Sequence, residues 1–151
     1  MQTTLNIKFL VDTNILVYAL DRTSPFYPIA RQILEECIQG SRQGIIAQQN
    51  LVECANVLFR DLKKEHSEIM LNLNTIALRC NLIIITPLPT TYFTFLNLCY
   101  TLKQRKREMF DVFLSATMLD NGITHIITVN EKDFTGIKGI SVYNPFKKDV
   151  K

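Results

Sequence analysis

Closely spaced cysteines are missing from this sequence. Cys37, Cys54, Cys80 and Cys99 stand far apart, so neither a zinc ribbon nor a CxxC redox motif is available from local spacing. Four reduced, mostly buried thiols in a cytoplasmic protein are expected instead. The two histidines, His66 and His125, are too isolated to form a metal pair, and His125 at a strand start reads as structural. There is no Gly-rich phosphate loop and no Ser/His/Asp arrangement. Long apolar runs are absent as well: the N-terminal segment is interrupted by Lys8, Asp12, Asn14 and Asp21, which argues against a membrane span or a secretory leader. No repeat, linker or low-complexity stretch divides the chain. Its 151 residues, 47% of them hydrophobic, are enough for one ordinary core, and one domain over 1–151 is expected. A net charge of +3 tolerates a polyanionic partner without demanding one.

What the chain does contain is an alternation of short apolar runs and longer helical patterns. Lys8 to Val11 reads as a buried strand that runs into Asp12, after which Ile15 to Leu20 suit a helix. Arg22 to Pro25 is a turn, with Ser24 and Pro25 marking a helix start. Ile29, Ile33, Leu34, Cys37 and Ile38 then share a helical face until Gly40. Gly44 to Ala47 is a second strand, and Asn50 opens a helix reaching Leu62. Another helix spans roughly Ser67 to Arg79. Leu82 to Ile85 reads as a buried parallel strand bounded by Pro87 and Pro89. Tyr92, Phe93, Phe95, Leu96, Cys99 and Tyr100 follow at helical spacing and are assigned to the core. Asp111 begins a helix that Asn121 and Gly122 stop. His125 to Val129 is a fourth strand, and Ile140 to Val142 a short fifth. This order predicts a three-layer α/β/α sandwich around a mainly parallel sheet of four to five strands.

Strand ends and helix starts share one edge of a parallel sheet, which is where such folds place their ligands. Asp12, Glu53, Asp111 and the pair Asn130 and Asp133 all fall at such positions. Each has a local alternative: Asp12 as a helix cap, Glu53 completing a capping box with Asn50, Asp111 favoured by a helix N-terminus, Asn130 and Asp133 as turn residues. Their coincidence at one edge is what suggests a site. Crowded carboxylates repel unless a cation neutralises them, and oxygen donors without His or Cys select Mg²⁺ or Mn²⁺. Such a centre suits phosphodiester hydrolysis. A basic cluster, Lys103, Arg105, Lys106 and Arg107, precedes Asp111 and is either a solvated charge run or a holder of phosphates. Arg60, Lys63 and Lys64 could extend it. A phosphohydrolase with Asp12 as nucleophile is disfavoured, because Asn14 stands where a second acid would be wanted.

In this order and spacing the residues resemble a PIN domain, the PilT N-terminus family of metal-dependent nucleases, from Lys8 to about Phe146. Val11-Asp12-Thr13-Asn14 resembles the family's opening motif, and Glu53 stands at its helical glutamate. Asp111 with Ser115, Ala116 and Thr117 is similar to its third acid and following helix. Thr128 to Phe134 is similar to the closing motif. The resemblance implies Mg²⁺ or Mn²⁺ held by Asp12, Glu53, Asp111 and a fourth group, with Asp133 the candidate, and Asn14, Thr128, Asn130 and Ser115 in support. It implies RNA as substrate. Asn130 departs from the acid that many members carry there, which leaves the number of metals open. The small size is most like a VapC-type toxin, which implies a homodimer and an antitoxin whose segment occludes the groove. The alternatives are a catalytically weak module that binds RNA or protein, and a solitary RNase of RNA processing.

Overall fold

Five short apolar runs become the five strands of one all-parallel sheet in a computed structural model that describes residues 7–102 and 108–147. In chain order they are β1 (Lys8–Val11), β2 (Gln43–Ala47), β3 (Ile83–Ile85), β4 (His125–Ile127) and β5 (Ser141–Tyr143). Seven helices connect them among the described residues: α1 (Thr13–Leu20), α2 (Tyr27–Ile38), α3 (Gln48–Arg60), α4 (His66–Arg79), α5 (Thr91–Thr101), α6 (Met109–Asp120) and α7 (Glu131–Phe134). The spatial order is β3-β2-β1-β4-β5. The chain therefore builds outward from β1 in one direction through β2 and β3, then crosses to lay β4 on the other side. The crevice between β1 and β4 is the point where the order reverses, the place where open α/β sheets leave room for a ligand.

Alternate residues of the strands feed opposite cores, as a period of two requires. Val11, Ile46 and Ile127 pack on one face with Ile15, Leu34, Leu58 and Ile76 of α1 to α4. Leu10, Ile45 and Ile126 pack on the other with Leu114, Met118 and Phe134 of α6 and α7. The expected three-layer arrangement is present. Cys37, Cys54 and Cys80 are buried and Cys99 is half-buried, none of them in a disulfide. Burial pushes the thiols of Cys37 and Cys54 up, to about 11 and about 12. His125 takes a structural position, its ring edge-on to Phe9 at 5.6 Å and its Nδ1 paired with the Thr124 hydroxyl.

Two expectations about burial need correction. The strand β3 lies at the sheet edge, and Ile83 and Ile84 are exposed. Leu82 and Ile85 of the same apolar run are buried, so the expected burial holds for half of it. The aromatic stripe of α5 is not core either: Tyr92, Phe93, Leu96 and Tyr100 are exposed, and only Thr91 of that helix is buried. The helix rests on α6 through Phe95, whose ring meets Phe113 at 5.7 Å. Helical spacing identifies residues that share a face, but not whether anything packs against it. Helix starts also shift. The turn closed by Ser24 accepting from the Phe26 N–H precedes α2, which begins at Tyr27 with Pro28 in its first turn. Likewise α3 begins at Gln48, and α6 at Met109. The basic cluster at Lys103, Arg105, Lys106 and Arg107 lies outside the described residues.

Gly44 in β2 is required by close approach: a Cβ there would run into Leu82 Cδ2 and lie 2.6 Å from Cys37 Sγ. Gly44→Ala is expected to cost about 1–3 kcal/mol, the range for overfilling a packed core. Urea unfolding of the two proteins measures it, and an unchanged midpoint would show that Leu82 and Cys37 give way freely.

Candidate active site at the sheet switch point

The site begins with Asp12, one residue past β1, buried and in extended conformation as the cap of α1. Its backbone N–H donates to the Ile127 carbonyl at 3.1 Å, which continues the β1 to β4 pairing and sets Asp12 beside Thr128. Four donors reach its carboxylate. Oδ1 accepts from the Thr13 N–H at 2.7 Å and from Asn50 Nδ2 at 3.4 Å; Oδ2 accepts from the Thr128 hydroxyl at 2.7 Å and from Asn14 Nδ2 at 2.9 Å. Asp12 is thus a helix cap and part of a network far larger than a cap needs. Burial still dominates and raises its carboxyl to about 6; the hydrogen bonds from Thr128, Thr13 and Asn14 oppose this, and the nearby Glu53 charge adds to it.

The supporting residues are used on all sides. Thr128 Oγ1 donates to Asp12 and accepts from Asn14 Nδ2 at 3.1 Å and from the Asn130 N–H at 3.0 Å. The Asn14 carbonyl oxygen accepts from the Val129 N–H at 3.3 Å. Thr13 carries the network onward, donating from its hydroxyl to Glu53 Oε2 at 2.8 Å and accepting from Asn50 Nδ2 at 3.1 Å. The other Glu53 oxygen accepts from Gln49 Nε2 at 2.7 Å. Glu53 does not form the capping box: Asn50 does half of that work, its carbonyl oxygen accepting from the Ala47 N–H at 3.1 Å. Thr13, Gln49 and Asn50 were not assigned to the site from the sequence, where Thr13 stood only within the opening motif and Asn50 only as a helix start. The signal available was weak, a polar residue one position after the first acid and two more a turn before the second.

Asp111, in the first turn of α6, is half-buried. Its carboxyl is raised to about 7, first by burial and then by the charges of Asp12, Asp133, Glu53 and Glu108. Acids separated by a hundred positions in the chain thus lie within electrostatic reach of one another. Asp12, Glu53 and Asp111 line one cavity of about 280 Å³, together with Asn14 and Asn130; Val17, Tyr18 and Val57 form its apolar wall. Asp133 is half-buried on α7 and contributes through its charge. The Ser115 hydroxyl donates to the Asp111 carbonyl at 2.8 Å, one turn back along α6, and so holds the helix and not the carboxylate. No group of three or more His, Cys, Asp or Glu side chains among the described residues is gathered tightly enough to hold an ion as it stands. The acids offer the cavity oxygen ligands, and among the described residues the donors fixed on Asp12 and Glu53 are neutral.

An all-parallel α/β domain with interacting carboxylates at the switch point of its sheet is the class that fold and site define. The model of the PIN domain matches residues 9–139, and the chain belongs to that family. Its structural neighbours are PIN toxins of VapBC toxin-antitoxin pairs. The fold is similar to VapBC2 from Rickettsia felis bound to a DNA fragment from its promoter, with 21% identity and a TM-score of 0.71 over 91% of this chain and 98% of that one. It is similar to VapBC-1 from nontypeable Haemophilus influenzae, with 16% identity and a TM-score of 0.70 over 93% and 100%. VapC20 from Mycobacterium tuberculosis, a toxin that cleaves the sarcin-ricin loop, is similar at 13% identity and a TM-score of 0.60 over 78% and 86%. Comparison with curated proteins by sequence returns no match.

The acids make stability depend on pH in a definite direction. A carboxyl whose folded pKa lies above its unfolded one keeps its proton longer in the folded state, so its penalty is absent below about pH 4 and complete above its folded pKa. For Asp12, raised from 3.8 to about 6, the penalty is on the order of 3 kcal/mol. In the presence of chelator the protein is expected to resist urea better at pH 5 than at pH 8, and Asp12→Asn to reduce that difference. Equal dependence on pH in parent and variant would show that burial of this charge is not felt.

Proposed function

We propose that this chain is a Mg²⁺- or Mn²⁺-dependent endoribonuclease, a single PIN domain acting as the cytoplasmic toxin of a VapBC-type pair. The observation that carries the reading is the meeting of Asp12, Glu53 and Asp111 around one cavity at the β1 to β4 crevice. The donor chemistry fits a hard divalent cation: oxygen ligands only, with mutual repulsion that a cation would relieve. Asp12, Glu53 and Asp111 would hold it, with Asp133 or Asn130 completing the set. When bound there, such an ion supplies Lewis-acid polarisation of a phosphoryl oxygen and a lowered pKa for an attacking water.

The chain's own residues do the rest. Thr128, Asn14 and Asn50 fix the Asp12 carboxylate in place without cancelling its charge, and Thr13 and Gln49 do the same for Glu53. The apolar wall of Val17, Tyr18 and Val57 gives a ribose or base a dry surface beside the acids. Lys103, Arg105, Lys106 and Arg107 are assigned to the phosphates flanking the cut. RNA as the substrate is supported by the similar fold of a toxin that cleaves the sarcin-ricin loop. An antitoxin as partner is supported by the neighbours that are toxin-antitoxin complexes. One observation favours a second reading, a module that binds RNA or a protein but cleaves poorly: Asn130 faces the cavity without a charge.

Asp12→Asn is expected to leave the fold intact and to lower cleavage of a labelled RNA by at least 100-fold, the scale for a group acting on transition-state charge. Excess EDTA should abolish cleavage by the parent, with Mn²⁺ restoring it. Full activity in EDTA, or in the variant, would defeat the nuclease reading. RNA affinity without any turnover in Mn²⁺ would select the binding module.

A homodimer is the proposed assembly, supported by the outward face of α5, where Phe93 and Tyr100 are 69% and 72% exposed. Apolar faces of this kind mark interaction surfaces. Light scattering is expected to give twice the chain mass of 17.4 kDa, and Phe93→Asp to shift it toward the monomer. A monomeric parent would rule the dimer out.

A further inference from the structure

Gln49, in the first turn of α3, makes hydrogen bonds that stability alone does not account for. Its Nε2 donates to Glu53 Oε1 at 2.7 Å and to the Phe110 carbonyl at 2.9 Å. Both partners can only accept, so the amide has one orientation, with nitrogen toward them and oxygen away. That oxygen is buried with no donor among the described residues. Leaving a buried acceptor unmatched costs about 1–3 kcal/mol. The two bonds do little to offset it, because their acceptors have water within reach: Phe110 is exposed, and Glu53 lines an open cavity. An apolar side chain of the same length would serve the fold at least as well.

What the bonds accomplish is geometric. The bond to Phe110 is the one hydrogen bond joining α3 to α6 among the described residues. Phe110 immediately precedes Asp111. One nitrogen therefore holds the Glu53 carboxylate on one side and the peptide leading into Asp111 on the other. Like charges facing one cavity push apart unless something ties them; Glu53 and Asp111 both line the cavity, and the Glu53 charge helps raise the Asp111 carboxyl. Thr13 anchors Glu53 to α1, but it has no hold on α6.

We propose that Gln49 is a positioning residue of the nuclease site, tying Glu53 to the start of α6 so that Glu53 and Asp111 stay at one cavity as oxygen donors that a divalent cation can draw together. The role rests on the nuclease reading above. Gln49 touches neither substrate nor reacting atoms; it acts through Glu53 and through the backbone of α6.

The test is Gln49→Met, nearly the same shape without donors or acceptors, measured three ways on the full chain. Calorimetric titration with Mn²⁺ should show affinity about 10- to 100-fold weaker, the usual loss when a residue orienting a metal-binding carboxylate is removed. RNA cleavage should lose kcat by a similar factor with KM little changed. The Tm in chelator should stay level or rise, since the orphaned oxygen is gone. Parental Mn²⁺ affinity and kcat in the variant would overturn the proposal, as would a Tm that falls in step with activity. A parent protein that neither binds Mn²⁺ nor cleaves RNA would refute the nuclease reading and this role with it. A parent that binds and cleaves, equalled by the variant, refutes the role of Gln49 alone.

Discussion

Asp12 places a carboxylate at the end of a central strand with almost no access to water, and the arrangement around it follows from what keeps it there. Burying an ionised group costs several kcal/mol unless donors replace the water it loses. A strand end cannot provide them alone. The donors come from the first turn of α1, from Asn50 on α3 and from Thr128 at the end of β4. Thr128 can reach Asp12 only if β1 pairs with β4 in the observed register, and Asn50 only if α3 starts directly after β2. The carboxylate thus acts as a rivet through the middle of the sheet. Displacing any of the three elements would leave part of its charge unmatched.

Among the described residues the donors to Asp12 and Glu53 are all neutral, and that choice has a consequence. An Arg or Lys beside Asp12 or Asp111 would stabilise the carboxylates more than amides and hydroxyls do, but it would cancel the negative potential of the cavity. Amide and hydroxyl donors fix the direction of the oxygens and leave the charge standing. The resulting strain is visible in two carboxyls raised to about 6 and about 7. Stability is given up at the acids that the proposed reading assigns to a cation, a trade made commonly at functional sites.

Much of this arrangement was legible in the chain. Short apolar runs ending in polar residues reported both the strands and the edge at which Asp12, Glu53 and Asp111 would gather, because handedness and parallel pairing leave few alternatives. Helix starts were less legible: a capping side chain such as Asn50 can act from inside the first turn, so its position marks the end only to within two residues. The exposure of Tyr92, Phe93 and Tyr100 was misread, since periodicity is the same for a face that packs and a face that waits for a partner. Gln49, a polar residue one turn before Glu53, left only a weak trace. Its significance is a bond to a backbone carbonyl 61 positions away, and no local pattern encodes that.

The helix α6 shows how one residue type serves opposite ends. Asp111 and Asp120 are nine residues apart, about 14 Å along the axis. Asp111 sits where the helix dipole favours a negative charge, yet its carboxyl is raised because burial and other acids outweigh that help. Asp120 sits at the unfavourable end, yet its carboxyl is lowered, because the hydroxyls of Thr91, Thr94 and Thr90 all donate to it. Among the described residues the first acid, at the cavity, has no donor of this kind. The second is saturated and fastens α5 to α6, which holds the exposed aromatic face of α5 in fixed relation to the site. Asp120 thus ties α5 to the same helix that carries Asp111 in its first turn.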